Sequence, residues 1–134
     1  MASLDDPEVR ELLDDPNHAV VSTLNRDGSI HSTIVWINRE GDAVAINSRI
    51  GRIWPTNLER DPHVTVLVFQ AGNPYRFLEI RGTVTPVLGW AADEHINLLA
   101  KKYTGQDVFQ DRRPGDERIK FVIEPDHVRH AIQD

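Results

Sequence analysis

Apolar positions along the 134-residue chain change period several times, and each change marks an element. Asp5-Asp6-Pro7-Glu8 places a carboxylate cap ahead of a first-turn proline. Val9, Leu12 and Leu13 then form one apolar stripe before Asp15-Pro16, which predicts a short amphipathic helix acting as a lid or plug. Two-residue alternation with β-branched side chains predicts a strand over 18–24, and Asp27-Gly28 predicts a tight turn to an antiparallel strand over 30–37. A second turn over 38–42 leads to a third strand over 43–47, so a three-stranded meander is expected. Residues 64–69 are apolar on both faces, as in a strand with a barrel interior on one side and a second layer, such as a partner subunit, on the other. The long run 75–87 carries Gly82 in its middle, which predicts a bulge or sharp bend.

Between Trp90 and Tyr103 the period becomes helical. Ala92, Ile96, Leu99, Ala100 and Tyr103 share a face, acids come early, lysines come late, and Gly105 follows as a cap. Residues 106–116 read as a loop and 118–124 as a last core strand ended by Pro125, with a short edge strand through His127-Val128-Arg129. The stretch 47–62 is different again: an apolar strand, a glycine, then a helix start with Pro55 in its first turn. Six strands with a helix inserted before the last predict a mainly β, small antiparallel barrel with a few helices, in one domain over 1–134.

A hydrophobic content of 40% with 27% charged residues fits a globular chain, not a disordered or membrane one. The formal charge of -6 argues against a nonspecific nucleic-acid or anionic-membrane binder, so any anion must be held by a local cluster. The absence of cysteine excludes disulfides, thiolate metal sites and cysteine nucleophiles. Without an apolar leader after Met1, a cytoplasmic protein is expected.

Common catalytic signatures are missing: there is no G-x-S-x-G, no G-x-x-x-x-G-K, no G-x-G-x-x-G and no H-E-x-x-H. His127 and His130 lack carboxylate or thiolate company and read as surface residues; His31 and His63 read as turn or interface residues; no metal site is expected. The acids Asp93 and Glu94 beside His95 are explained by the helix dipole. What remains is the start of the helix after Gly51. Its free amides, the Ser48 hydroxyl and the guanidinium forks of Arg49 and Arg52 form a plausible anion site, against the plainer reading of a polar connection. Trp36 and Trp54 lie near the same loop, and Tyr75 and Phe77 begin a strand that could face them across a subunit boundary, an arrangement suited to stacking on a planar ring. Trp54 is expected to be exposed there and Trp90 to fill core.

The succession Asp27-Gly28-Ser29, Ser32-Thr33-Ile34-Val35-Trp36, Asn47-Ser48-Arg49-Ile50-Gly51-Arg52 and Asn57-Leu58-Glu59-Arg60-Asp61-Pro62 resembles the split β-barrel flavin and deazaflavin oxidoreductases, which are pyridoxamine 5'-phosphate oxidase-like. It looks closest to the actinobacterial group that uses the deazaflavin coenzyme F420. Glu79-Ile80-Arg81-Gly82, the 99–105 stretch and Arg113-Pro114-Gly115-Asp116-Glu117-Arg118 extend the resemblance over nearly the whole chain. It implies a six-stranded antiparallel split β-barrel and a homodimer with cofactor sites at the subunit interface. The ring would lie against Val35 and Trp36, and the phosphate would meet Ser48, Arg49, Gly51, Arg52 and the helix start near Trp54 and Asn57. Relatives commonly carry a lysine where this chain has Trp54, so Arg49 or Arg52 would supply the charge. The implied activity is hydride transfer from reduced F420 to an unsaturated small organic molecule, with Tyr75, Tyr103 or solvent as proton source. Two alternatives stay open: a non-catalytic flavin, deazaflavin or tetrapyrrole binding module, and an FMN-dependent oxidoreductase of the pyridoxamine phosphate oxidase kind.

Overall fold

The run expected as one strand over 30–37 is broken at Trp36, and that break organises the fold. The computed structural model describes residues 3–131, and among them helices α1 (Pro7–Asp14), α2 (Ile53–Arg60) and α3 (Trp90–Thr104) accompany strands β1 (Ala19–Leu24), β2 (Ile30–Val35), β3 (Ile37–Glu40), β4 (Ala43–Arg49), β5 (His63–Gln70), β6 (Asn73–Val87) and β7 (Arg118–Ala131). The seven strands form one antiparallel sheet in the order β2-β1-β5-β6-β7-β4-β3. Its two edges, β2 and β3, are therefore consecutive in the chain and joined through Trp36. The sheet is an open, curled half-barrel rather than the six-stranded barrel expected. The meander is split likewise: β1 pairs with β2, whereas Ile37 pairs with Ile46 on the opposite edge.

Gly82 does mark a bulge, because the β6–β7 register shifts between Arg81 and Gly82. A Cβ at Gly82 would collide with the Glu124 carbonyl oxygen, so only glycine allows the two backbones to approach there. This bend also explains why Pro125 fails to end β7. The β4 pairing stops at Ile123, and Pro125 faces Gly82 at the irregularity, where its missing N–H breaks no regular ladder. The strand continues through His127, Val128 and Arg129, so the expected edge strand is the second half of β7, paired with β6.

Inward-facing Val21, Ile46, Val66, Leu78, Ile80, Phe121 and Ile123 fill the curl. Val9, Leu12 and Leu13 of α1 plug the core as the stripe implied, each contributing roughly 1.5–3 kcal/mol by burial. The plug is latched at its C-terminal end. Asn17 Nδ2 donates to the Leu12 carbonyl at 3.0 Å, and the Lys102 ammonium donates to the carbonyls of Leu13 and Ile37. Burial pulls Lys102 down to about 8. Helix α3 ends at Gly105, whose φ of 81° supplies the left-handed cap. Among the described residues no helix is long and apolar enough to cross a membrane.

Candidate functional site

The strand interruption at Trp36, the C-terminal end of β4, the start of α2, the loop after α3 and the first residue of β7 surround a cavity of about 600 Å³. Val35, Trp36, Ser48, Arg49, Gly51, Arg52 and Trp54 all line it. Asn57 does not. Its buried amide donates to Thr23 Oγ1 at 3.1 Å and to Asn25 Oδ1 at 2.9 Å, which ties α2 to the end of β1.

One wall is aromatic. Trp36 stacks on Tyr103 with ring centroids 5.3 Å apart and planes 6° apart, and Phe109 meets it edge-on at 6.1 Å. Tyr103 is a brace for this wall. Its hydroxyl donates to the Asn17 carbonyl and accepts from the Ile37 amide at 3.2 Å, and burial pushes it up to about 12. It does not line the cavity, and neither do Tyr75, which is 71% exposed, or Phe77, which lies under the Arg129 guanidinium. Within one chain, then, neither tyrosine brings its hydroxyl to this cavity. The titratable side chains on its wall are His18, His31 and Asp111, together with the arginines.

The other wall is cationic despite the chain's net charge. Arg49 is ion-paired with Asp116 at 3.6 Å, whereas Arg52 and Arg118 have no ion-pair partner among the described residues. A second hollow of about 640 Å³ continues from the first past these three arginines to Arg112 and Arg113. Arg112 is paired with Asp93. Helix α2 begins at Ile53 without a side-chain cap, after Gly51 turns the chain at a φ of 100°. Its uncapped first amides add partial positive charge beside the arginines.

Both tryptophan expectations reverse. Trp54 is only 4% exposed and packs against Phe121 at 5.5 Å, closing the barrel end while presenting one edge to the cavity. Trp90 is 78% exposed, because the small Ala92 and the aliphatic Ile96 and Leu99 already fill the inner face of α3. Nothing in an isolated helical period distinguishes a first-turn tryptophan that packs from one that does not.

A family model described as pyridoxamine 5'-phosphate oxidase matches residues 5–131. The chain belongs to that family. The pyridoxamine 5'-phosphate oxidase family includes flavin-binding oxidoreductases. Among solved structures, the chain is similar to an F420 reductase at 25% identity and a TM-score of 0.77, covering 90% of this chain and 94% of that one. A conserved hypothetical protein of Mycobacterium tuberculosis shares 18% identity at a TM-score of 0.77, covering 95% of this chain and 84% of its own. HutZ, the heme storage protein from Vibrio cholerae, shares 12% identity at a TM-score of 0.68 over 94% of each chain. The last two likenesses show the fold alone. No protein of curated function matches the sequence.

Sequence reasoning missed His18, Phe109, Asp111 and above all Arg118. Phe109 and Asp111 lie on a loop without periodicity. Arg118 had a signal: alternation in β7 sends Ile119, Phe121 and Ile123 to the core, so Arg118 must face the α3 side beside Asn47.

Proposed function

We propose that this protein is a cytoplasmic, F420-dependent oxidoreductase of the actinobacterial group, acting as a homodimer on an unsaturated small organic substrate. The observation that carries this reading is one cavity that joins a flat, braced aromatic wall to two unpaired guanidinium groups. A planar ring bearing a phosphate needs that combination, and the 25% identity to an F420 reductase over 90% of the chain supports the deazaflavin. When bound, the cofactor supplies the hydride chemistry, and the protein supplies orientation and electrostatics.

In this assignment Val35 and Trp36 hold the ring, with Tyr103 and Phe109 fixing the indole plane behind it. Ser48, Arg49, Arg52 and the uncapped start of α2 hold the phosphate. Trp54 shapes the floor and carries no charge, so the arginines take the place of the family lysine. The proton that follows the hydride comes from solvent or from Tyr75 of a second copy, since Tyr103 is held behind the aromatic wall by the Asn17 carbonyl and the Ile37 amide.

Support for the dimer comes from the outer face of β2, β1 and β5. Ile34, Val20 and Leu67 form one cross-strand row, and Ile30 opposes Leu24 in another. Ile30 is 68% exposed and Ile34 63%, an apolar surface that a second copy would cover. Ile34 also lines the cavity, so a subunit on that face would reach the site.

An FMN-dependent oxidoreductase is the second reading, favoured by the family match over 5–131, because the same arginines suit an FMN phosphate. A binding module without turnover is the third, favoured by the heme storage protein of like fold. The deciding assay follows absorbance of reduced F420 with a panel of enones and quinones. Consumption that requires both protein and acceptor supports the proposal. Tight binding of F420 with no acceptor turned over would favour the binding module.

A further inference from the structure

Asn47 is a buried polar side chain at the end of the small and apolar run of β4. Its Nδ2 donates to the Ala92 carbonyl and to His95 Nδ1, both at 3.0 Å, and its Oδ1 accepts from Arg118 Nε at 3.1 Å. His95, also buried, has its Nε2 2.6 Å from Asn38 Oδ1, and the Asn38 amide in turn donates to Glu40 Oε2 at 3.5 Å. These bonds are mutually consistent for one state only: a neutral imidazole with the proton on Nε2, accepting at Nδ1. The neighbouring charges agree. Burial, with Lys120 and Arg118 of β7 nearby, lowers His95 to about 4 against the opposing pull of Glu40 on β3.

The end of this chain of bonds is Arg118, which is 8% exposed. Its Nε is spent on Asn47 and its guanidinium lies 5.0 Å over the Phe109 ring. Its two terminal nitrogens have no hydrogen-bond or ion-pair partner among the described residues, and the side chain lines both hollows. Arg49 is already paired with Asp116 and Arg52 is exposed. Arg118 alone of the three is both desolvated and open. A guanidinium so placed presents a fixed fork that suits two oxygens of one anion.

We propose that Arg118 is a further receptor, beside Ser48, Arg49 and Arg52, for an oxyanion of a phosphate ester in this cavity, and that Asn47 and His95 are positioning residues that hold its fork toward that anion. The inference rests on the cofactor reading only for which molecule bears the oxyanion. Asn47 fixes the plane of the guanidinium through Nε. His95 fixes Asn47, since an amide turned over would set donor against donor at Arg118 and leave Nδ1 facing an oxygen.

The test is a titration with inorganic pyrophosphate, read by the arginine Nε–H resonances of ¹⁵N-labelled protein. The wild-type Arg118 signal is expected to be sharp, protected from exchange, and shifted to saturation by pyrophosphate. Arg118→Gln should weaken pyrophosphate binding about tenfold or more. Asn47→Asp should do the same with Arg118 in place, by giving the guanidinium a carboxylate of its own. His95→Leu should broaden the Nε–H signal and weaken binding while the fold, followed by circular dichroism, persists. If either buried-site variant unfolds, the wild-type and Arg118→Gln titrations still decide. Equal affinity in those two proteins, or binding that leaves the Arg118 resonance unmoved, overturns the proposal. Pyrophosphate moving Arg118 while F420 fails to bind would sink the cofactor reading and keep the receptor. F420 binding with Arg118 unmoved would do the reverse.

Discussion

Acidification should destabilise the fold through His95, by an amount that can be worked out. The folded chain holds this imidazole neutral down to about 4, against an ordinary value of 6.5, chiefly because burial penalises the charged ring. Between those values the unfolded chain binds a proton that the folded chain does not, so stability is fully present above the ordinary histidine range and falls as pH drops through it. The full shift corresponds to roughly 3 kcal/mol, and lowering the pH from about 7.5 to about 5 collects about 2 kcal/mol of it. Urea unfolding at the two pH values measures the loss. The same pair of curves for His95→Gln, which cannot titrate, removes the carboxylates and the other histidines from the comparison. The wild type should lose about 2 kcal/mol more than the variant over this interval. Equal losses, or an imidazole that titrates in the folded protein near 6.5, would refute the picture of a neutral histidine locked between Asn38 and Asn47.

Trp54→Lys should destabilise the protein by about 3–5 kcal/mol, the scale for removing a buried aromatic, because the site is closed against Phe121; a thermal melt close to wild type would contradict that packing. Gly82→Ala should cost about 1–3 kcal/mol, since the added methyl group meets the Glu124 carbonyl across the β6–β7 bulge; an unchanged urea midpoint would show that the strands are further apart there. Ile34→Lys should convert a dimer to a folded monomer in sedimentation equilibrium, and a dimer that survives it would move the interface away from the outer face of β2.

Much of this architecture was legible because it rests on periods and punctuation. The stripe of α1, the Gly105 cap and the Gly82 bulge each follow from local rules that the packed chain obeys. The errors came where long-range geometry decides. Trp36 interrupts an otherwise continuous strand pattern, and no local feature tells that the residues on either side belong to opposite edges of the sheet. Pro125 reads as a stop until Gly82 is seen facing it. At the cavity, the loop carrying Arg49 and Arg52 was visible as a cluster in sequence, but Arg118 arrives from a strand 66 positions beyond Arg52 and is recognisable only through its bond to Asn47. The place of Asn57 in the cofactor set came from resemblance, and its amide is committed to β1 and the turn after it.

Whether this cavity takes a deazaflavin is decided by spectral titration of the purified protein with oxidised F420 and with FMN, side by side in the same buffer. A saturable change in the F420 spectrum is expected at lower concentration than any change with FMN. Retention of a yellow chromophore with the FMN spectrum through purification, with no response to F420, would contradict it.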